Sequence, residues 1–180
     1  DDAHGVLLDV LDDDESGNRV AALRVLPVFA LKKHDGLLQC LSDRLLDEDP
    51  QVEDAARVCL LKVAPVFPSG CEEILRRELR NQRQDCRANA FEALRLTAES
   101  WPEAGCLHLD ELIREEDRDL RRRGSKILRT IASKAGATGW DLIGWSLEDE
   151  DALVRRNASN TLITLANNEP GIATIFIESA

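Results

Sequence analysis

The chain has 180 residues, 43% hydrophobic but only 4% aromatic, with no Met and no Tyr, so any core must be built from Leu, Ala and Val. Its 34 acidic and 23 basic residues leave a formal net charge of −11. That balance argues against a nucleic-acid groove, which needs a net basic surface, and no apolar stretch is of a length to span a membrane.

The acids crowd the two ends. Residues 1–71 hold 14 acids against 7 bases, residues 72–129 hold 13 against 13, and residues 130–180 hold 7 against 3. An acidic peptide could therefore dock on the locally Arg-rich middle. The five cysteines (Cys40, Cys59, Cys71, Cys86, Cys106) are odd in number and lack CxxC spacing, which points to a reducing, cytoplasmic setting. The chain does not start with Met, so it is expected to be a fragment or a processed chain, and a portion of a longer repeat array is the reading adopted.

A 34-residue period organises the chain. Leu26, Leu60, Leu94, Leu128 and Leu162 form one column; Ala22, Ala56, Ala90, Gly124 and Ala158 lie four places earlier; Ala30, Ala64, Ala98, Ala132 and Ala166 lie four places later. Three columns in step over five copies mean repeated supersecondary units. The units are expected at about 1–34, 35–68, 69–102, 103–136 and 137–168, with 169–180 opening a further, truncated one.

In chain order, the first unit has an apolar pair, Leu7 and Leu11, then a second helix in which Pro27 should cause a kink or an early end. In the second unit, Leu37, Leu38, Leu41, Leu45 and Leu46 predict a helix over roughly 37–47. Asp49 then reads as an N-cap and Pro50 as the first helical residue of a helix over 50–64, buried through Val52, Ala55, Ala56, Cys59, Leu60 and Val63. A Pro-rich stretch, 65–70, should stop that helix. Later first helices carry Leu75 and Leu79, Leu109 and Ile113, Ile143 and Leu147. Gly36, Gly70, Gly105 and Gly139 are expected in the preceding loops, where a cap or tight turn needs positive φ. A last helix start is expected through Ile172, Ile175 and Ile177.

The segments 46–56 (LDEDPQVEDAA) and 147–158 (LEDEDALVRRNA) resemble the HEAT-repeat signature: an acidic turn, Val-Arg or its equivalent, a small residue, then Leu. The tail 165–178 is more similar to a junction between armadillo repeats. The tetratricopeptide repeat shares the period, but its Trp-Leu-Gly-Tyr pattern is missing. The resemblance implies an all-α, right-handed α-α superhelix of about five hairpins, a scaffold that binds partners along its second helices. It also implies a ladder between neighbouring units, built from turn acids (Asp13, Asp47, Asn81, Glu115, Asp149) and residues six places on (Arg19, Glu53, Arg87, Arg121, Arg155), in which three rungs carry opposite charges, Asn81–Arg87 is weaker and Glu53 breaks the second.

Support for chemistry is thin. His4, His34 and His108 are scattered, and a Cys106–His108 pair would point apart on a helix, so no enzyme activity, cofactor or metal site is expected. The acidic runs 12–15 and 148–151 lack the spacing of a calcium loop and read as helix caps. Arg118, Arg121, Arg122, Arg123 and Lys126 could dock an acidic group or simply be a solvated face; Arg76, Arg77, Arg80 and Arg83 read as solvated. Of Trp140 and Trp145, one should pack and one be partly exposed. The expected partner surface is the column two places before the Leu, namely Arg24, Val58, Glu92, Lys126 and Asn160, joined by Asn89, Arg122 and Asn157. It would hold a protein or peptide segment, an acidic one among the candidates. The other readings are a HEAT-like nucleic-acid binder or DNA-repair domain, and a structural arm without a ligand.

Overall fold

The computed structural model describes residues 2–30 and 35–168; the expected sixth-unit start lies outside them. Every secondary-structure element among the described residues is a helix: α1 Asp2–Leu11, α2 Ser16–Ala30, α3 Asp35–Arg44, α4 Pro50–Val63, α5 Pro68–Leu79, α6 Gln84–Ser100, α7 Pro102–Ile113, α8 Arg118–Ser125, α9 Leu128–Ala132, α10 Gly136–Leu147 and α11 Ala152–Asn168. They form two compact units, Asp1–Thr97 and Ala98–Ala180.

In the first unit, α1 pairs with α2 and α3 with α4; α1, α3 and α5 then stack in sequence, and α2 lies along α4. The second unit repeats the plan, with α7 against α8 and α9, α10 against α11, α7 against α10, and both α8 and α9 against α11. First helices thus stack on first helices and second on second, which turns short amphipathic elements into one continuous core per unit.

The columns seen in the sequence line these seams. Leu26, Leu60, Leu94 and Leu128 are completely buried, as are Ala56, Ala64, Ala90, Ala98 and Ala158, while Leu162 and Ala166 are half-buried. Small residues on either side of a Leu let helices approach, and the Leu fills the remaining volume.

Several sequence expectations need correction. Gly36, Gly70, Gly105 and Gly139 lie inside α3, α5, α7 and α10 rather than in loops, and the single positive φ among the described glycines belongs to Gly136, at 56°. What Gly70, Gly105 and Gly139 supply is room. A Cβ on Gly105 would sit 2.6 Å from the Ala98 Cβ, one on Gly139 would sit 2.8 Å from the Ala132 Cα, and one on Gly70 would sit 2.4 Å from a Leu38 methyl. Gly36 has no such need, since its nearest neighbour would be 3.6 Å away.

Helix ends also shift. The α2 helix runs past Pro27 to Ala30, so the proline does not end it. The α3 helix closes at Arg44 instead of 47, which leaves Leu45 buried but turns Leu46 out to solvent. Pro68 starts α5, at a position where a missing N–H costs nothing, and does not belong to a terminating loop. The second helix of the fourth pair is divided: Lys126 and Ile127 donate to the carbonyls three residues back, of Arg123 and Gly124, and α9 starts afresh at Leu128. Gly124, mid-helix and conformationally free, weakens the helix next to that break.

Candidate partner interface

What fixes the second helices in place is the acidic turn before each. In four of the turns the first polar residue closes on itself: Asp13, Asp47, Asn81 and Asp149 each accept from the backbone N–H two residues on, at 2.7–3.0 Å. Two places after the column position, Asp49, Asp117 and Asp151 cap α4, α8 and α11, accepting from Gln51, Asp119 and Leu153 N–H at 2.8, 2.7 and 2.9 Å. The acids are therefore used for capping and dipole complement, in keeping with the sequence reading.

The ladder joins neighbouring units, as the resemblance implied, but Arg19 and Arg121 take the acid of the following turn rather than the one six places before them. Arg19 donates to the backbone carbonyls of Asp13 and Asp14 at 2.8 and 3.0 Å, and its carboxylate is that of the next turn, Asp47, held bidentately at 2.9 and 3.0 Å. Arg121 repeats this, donating to the Glu115 and Glu116 carbonyls and to Asp149 at 2.9 Å and Glu150 at 2.7 Å. One guanidinium thereby sews its own turn to the following one.

Glu53 does not leave a gap; it reverses the rung. Where an arginine would reach forward, Arg83 of the next turn reaches back to both Glu53 oxygens at 2.7 and 2.8 Å, and Arg57 bridges Glu53 at 3.0 Å and Asp85 at 2.6 Å. The acid position opposite is Asn81, so both ends of this rung differ from the Arg19–Asp47 rung before it. Hydrogen bonds from Arg83, with a smaller share from Arg57, hold the Asp85 carboxyl at a pKa of about 2. Arg122, followed by the Leu153 and Val154 N–H groups, does the same for Asp151.

These ties decide which expected interface residues are open. In the column two places before the Leu, Arg24, Val58, Glu92, Lys126 and Asn160 are all exposed. Glu92 pairs with Arg95 at 2.6 Å. Of the added residues, Arg122 is drawn onto Asp151 at 2.7 Å, Asn157 donates to the Ser125 Oγ at 2.8 Å, and Asn89 is half-buried. Arg122 and Asn157 thus knit α8 to α11 instead of facing outward. The basic cluster around them is mostly used in the same way, with Arg123 on Asp119 and Arg121 on Asp149.

Arg24 and Val58 are brought together. They line an open groove of about 440 Å³ between α2 and α4, whose apolar floor includes Val20 and Ala55 and whose far wall carries Lys62. Lys62 was not among the sequence candidates. The signal existed: at 100° per residue, two places after Leu60 and two places before it fall on one face.

Elsewhere, Trp145 is 55% exposed with the Arg114 guanidinium 4.6 Å from its ring centroid, while Trp140 is half-buried, so the expected division between the two holds in part. The cysteines are free thiols, and burial pushes Cys59 and Cys71 up to about 12, which makes them poor nucleophiles. Among the described residues no group of His, Cys, Asp and Glu could hold a metal ion, and no helix is long and apolar enough to cross a membrane.

Stacked hairpins, small-Leu-small seams and Arg–Asp rungs between successive turns define a HEAT-like α-solenoid. Comparison with solved structures agrees on the fold: the chain is similar to the TOG3 domain of Drosophila melanogaster Mini spindles, with a TM-score of 0.66 at 18% identity, over 97% of this chain and 86% of that one. An engineered protein aligns over 96% of this chain and 92% of its own, at a TM-score of 0.48 and 17% identity. No protein-family model and no curated protein matches the sequence.

Proposed function

We propose that this chain is a protein-interaction platform, a portion of a larger protein, that lays a partner segment along the faces of its second helices. Repeat boundaries near residues 34, 68, 102 and 136 would make it five hairpins. The observation that carries the reading is the split within each second helix. Leu26, Leu60, Leu94 and Leu128 are sealed in the core, while Arg24, Val58 and Glu92, two residues earlier on the opposite side of α2, α4 and α6, and Lys126, in the link before α9, are all exposed. That face offers Val58 at 51% exposure and, one turn further along α11, Ile163 at 59%. Mixed apolar and charged side chains spaced by a repeat are suited to additive contact with a long ligand, in which charge placement sets specificity. Similarity to a natural helical-repeat domain supports the reading at the level of fold. The thiols, four of five buried, suit a reducing cytoplasm.

The test compares two surfaces. The full chain is immobilised beside a second-helix variant, Val58→Asp with Asn160→Lys, and a first-helix variant, Val6→Asp with Leu107→Lys; all four altered positions are solvent-facing, so folding should survive. Proteins retained by the parent and the first-helix variant, but lost from the second-helix variant, support the platform. Equal loss from both variants, or from neither, refutes this face as the binding surface, and retention of nucleic acid in place of protein would shift the reading to a nucleic-acid binder.

A further inference from the structure

Positive charge in this acidic chain is distributed in a particular way. Most described arginines are bound to carboxylates or backbone carbonyls: Arg44 to Asp47, Arg76 to Glu72, Arg114 to Asp110, Arg155 to the Asp149 carbonyl. Five described cations have neither an ion pair nor a hydrogen bond: Arg24, Lys62, Lys126, Arg129 and Arg156. All five are exposed, and all belong to second helices or, for Lys126, to the link between α8 and α9. First helices and turns therefore consume their cations internally, and the few left uncommitted all lie on second helices or, for Lys126, on the α8–α9 link.

Two of the five share one groove. Arg24 on α2 and Lys62 on α4 flank the apolar floor made by Val20, Ala55 and Val58. The acid on that wall, Asp54, is already paired with Arg57 at 3.2 Å, so it does not neutralise Lys62. The turn acid next to the groove, Asp49, is engaged as the α4 cap, accepting from the N–H of the lining residue Gln51 at 2.8 Å. A segment seated in the groove meets two uncommitted cations and a half-exposed valine.

We infer that the α2–α4 groove binds an acidic segment of a partner protein, with an aliphatic or aromatic side chain on Val58 and carboxylates on Arg24 and Lys62. This rests on the platform reading and deepens it by fixing the partner's chemistry and the place where it sits. A carboxylate pairing with a long exposed cation gains little by itself. Two such pairs about one apolar anchor, with water excluded from the floor, gain more, and they select against basic segments.

The test uses fluorescence anisotropy with the full chain and three labelled probes: a Glu-rich 16-residue peptide with two leucines four apart, the same peptide with Lys in place of Glu, and a single-stranded 16-nucleotide DNA. The acidic peptide should bind, and the other two should bind at least about tenfold more weakly. R24E/K62E should weaken the acidic peptide by about tenfold or more, R24Q/K62Q by roughly threefold, and V58D by an intermediate factor. The control R129E/R156E should stay within about twofold, because these cations lie outside the groove and outside the column two places before the Leu. Every altered side chain is exposed, and unchanged circular dichroism and melting temperature will show that folding is intact.

The inference is overturned if the acidic peptide fails to bind at millimolar concentration, if R24E/K62E binds it as the parent does, if the control loses as much as R24E/K62E, or if the DNA binds more tightly than the peptide. Failure here together with a positive result in the two-surface capture would remove the acidic-partner assignment and leave the platform standing. Failure of both would remove the platform as well.

Discussion

Two junctions between successive hairpins solve one problem with opposite chemistry. At the α8–α11 junction Arg121 reaches forward to Asp149, and both side chains are more than nine-tenths buried. At the α4–α6 junction the cation comes from the later turn: Arg83 reaches back to Glu53 and is itself 54% exposed. At both junctions the turn is tied to the preceding second helix, and the two differ in which partner carries the positive charge. The price of reversal is exposure, and exposed ion pairs contribute far less than sequestered ones.

The largest expected effect breaks the first junction. Arg121→Ala strips a buried carboxylate and two backbone carbonyls of their donor, and should cost about 3–5 kcal/mol in urea unfolding. A cost no greater than that of Arg83→Ala would remove the contrast between the two junctions. Next comes helix approach: Gly105→Ala, with its new methyl driven onto Ala98, should cost about 1–3 kcal/mol, whereas Gly36→Ala in the first unit should be neutral or gain a few tenths. Equal effects at the two sites would show that the close approach is not maintained in solution.

Arg83→Ala at the reversed junction is expected to cost about 1 kcal/mol or less, falling further in high salt. The smallest effect concerns acid. Asp85 and Asp151 both titrate near 2 in the folded chain, below the value of about 3.9 expected when unfolded, so the unfolded chain binds protons first as pH drops. Their contribution is complete above about pH 5 and is lost as pH falls through 4 towards 2. Asp151→Asn keeps a capping side chain but no charge, so its urea midpoint should fall less between pH 5 and pH 3 than the parent's. Asp85→Asn should show a weaker version of the same flattening, as suits its more open junction; the reverse order would contradict the comparison.

Much of this was legible in the residues because it depends on local rules. The 34-residue columns, the cap at Asp49 followed by Pro50, and the exposed face two residues before each Leu follow from helix periodicity and capping chemistry alone. The glycines were misread because a turn glycine and a contact glycine look the same in one dimension; only the neighbour at 2.6 Å tells Gly105 from a loop residue. The rung pairing was misread for a related reason. Arg19 is six residues from Asp13, but its side chain runs past that turn's carbonyls to Asp47, 28 positions away, a partner that sequence proximity does not favour. Arg122 and Asn157 likewise looked available until the stacking of α11 on α8 put Asp151 and Ser125 beside them. The division of α8 from α9 had a faint cue in Gly124, but one glycine in a helical pattern is usually tolerated.

The reversed rung also gives the array a reading order. Units that share a spacing of Leu look interchangeable, yet the α4 unit ends in an acid where its siblings end in a base. Excising residues 69–102 would keep every Leu on schedule but set Glu53 opposite Glu115, one acid against another. Unit two is therefore matched to unit three as its successor and mismatched to unit four, so that loss of unit three is expected to be penalised by like charges at the new junction, much as keyed connectors prevent parts from being assembled in the wrong sequence.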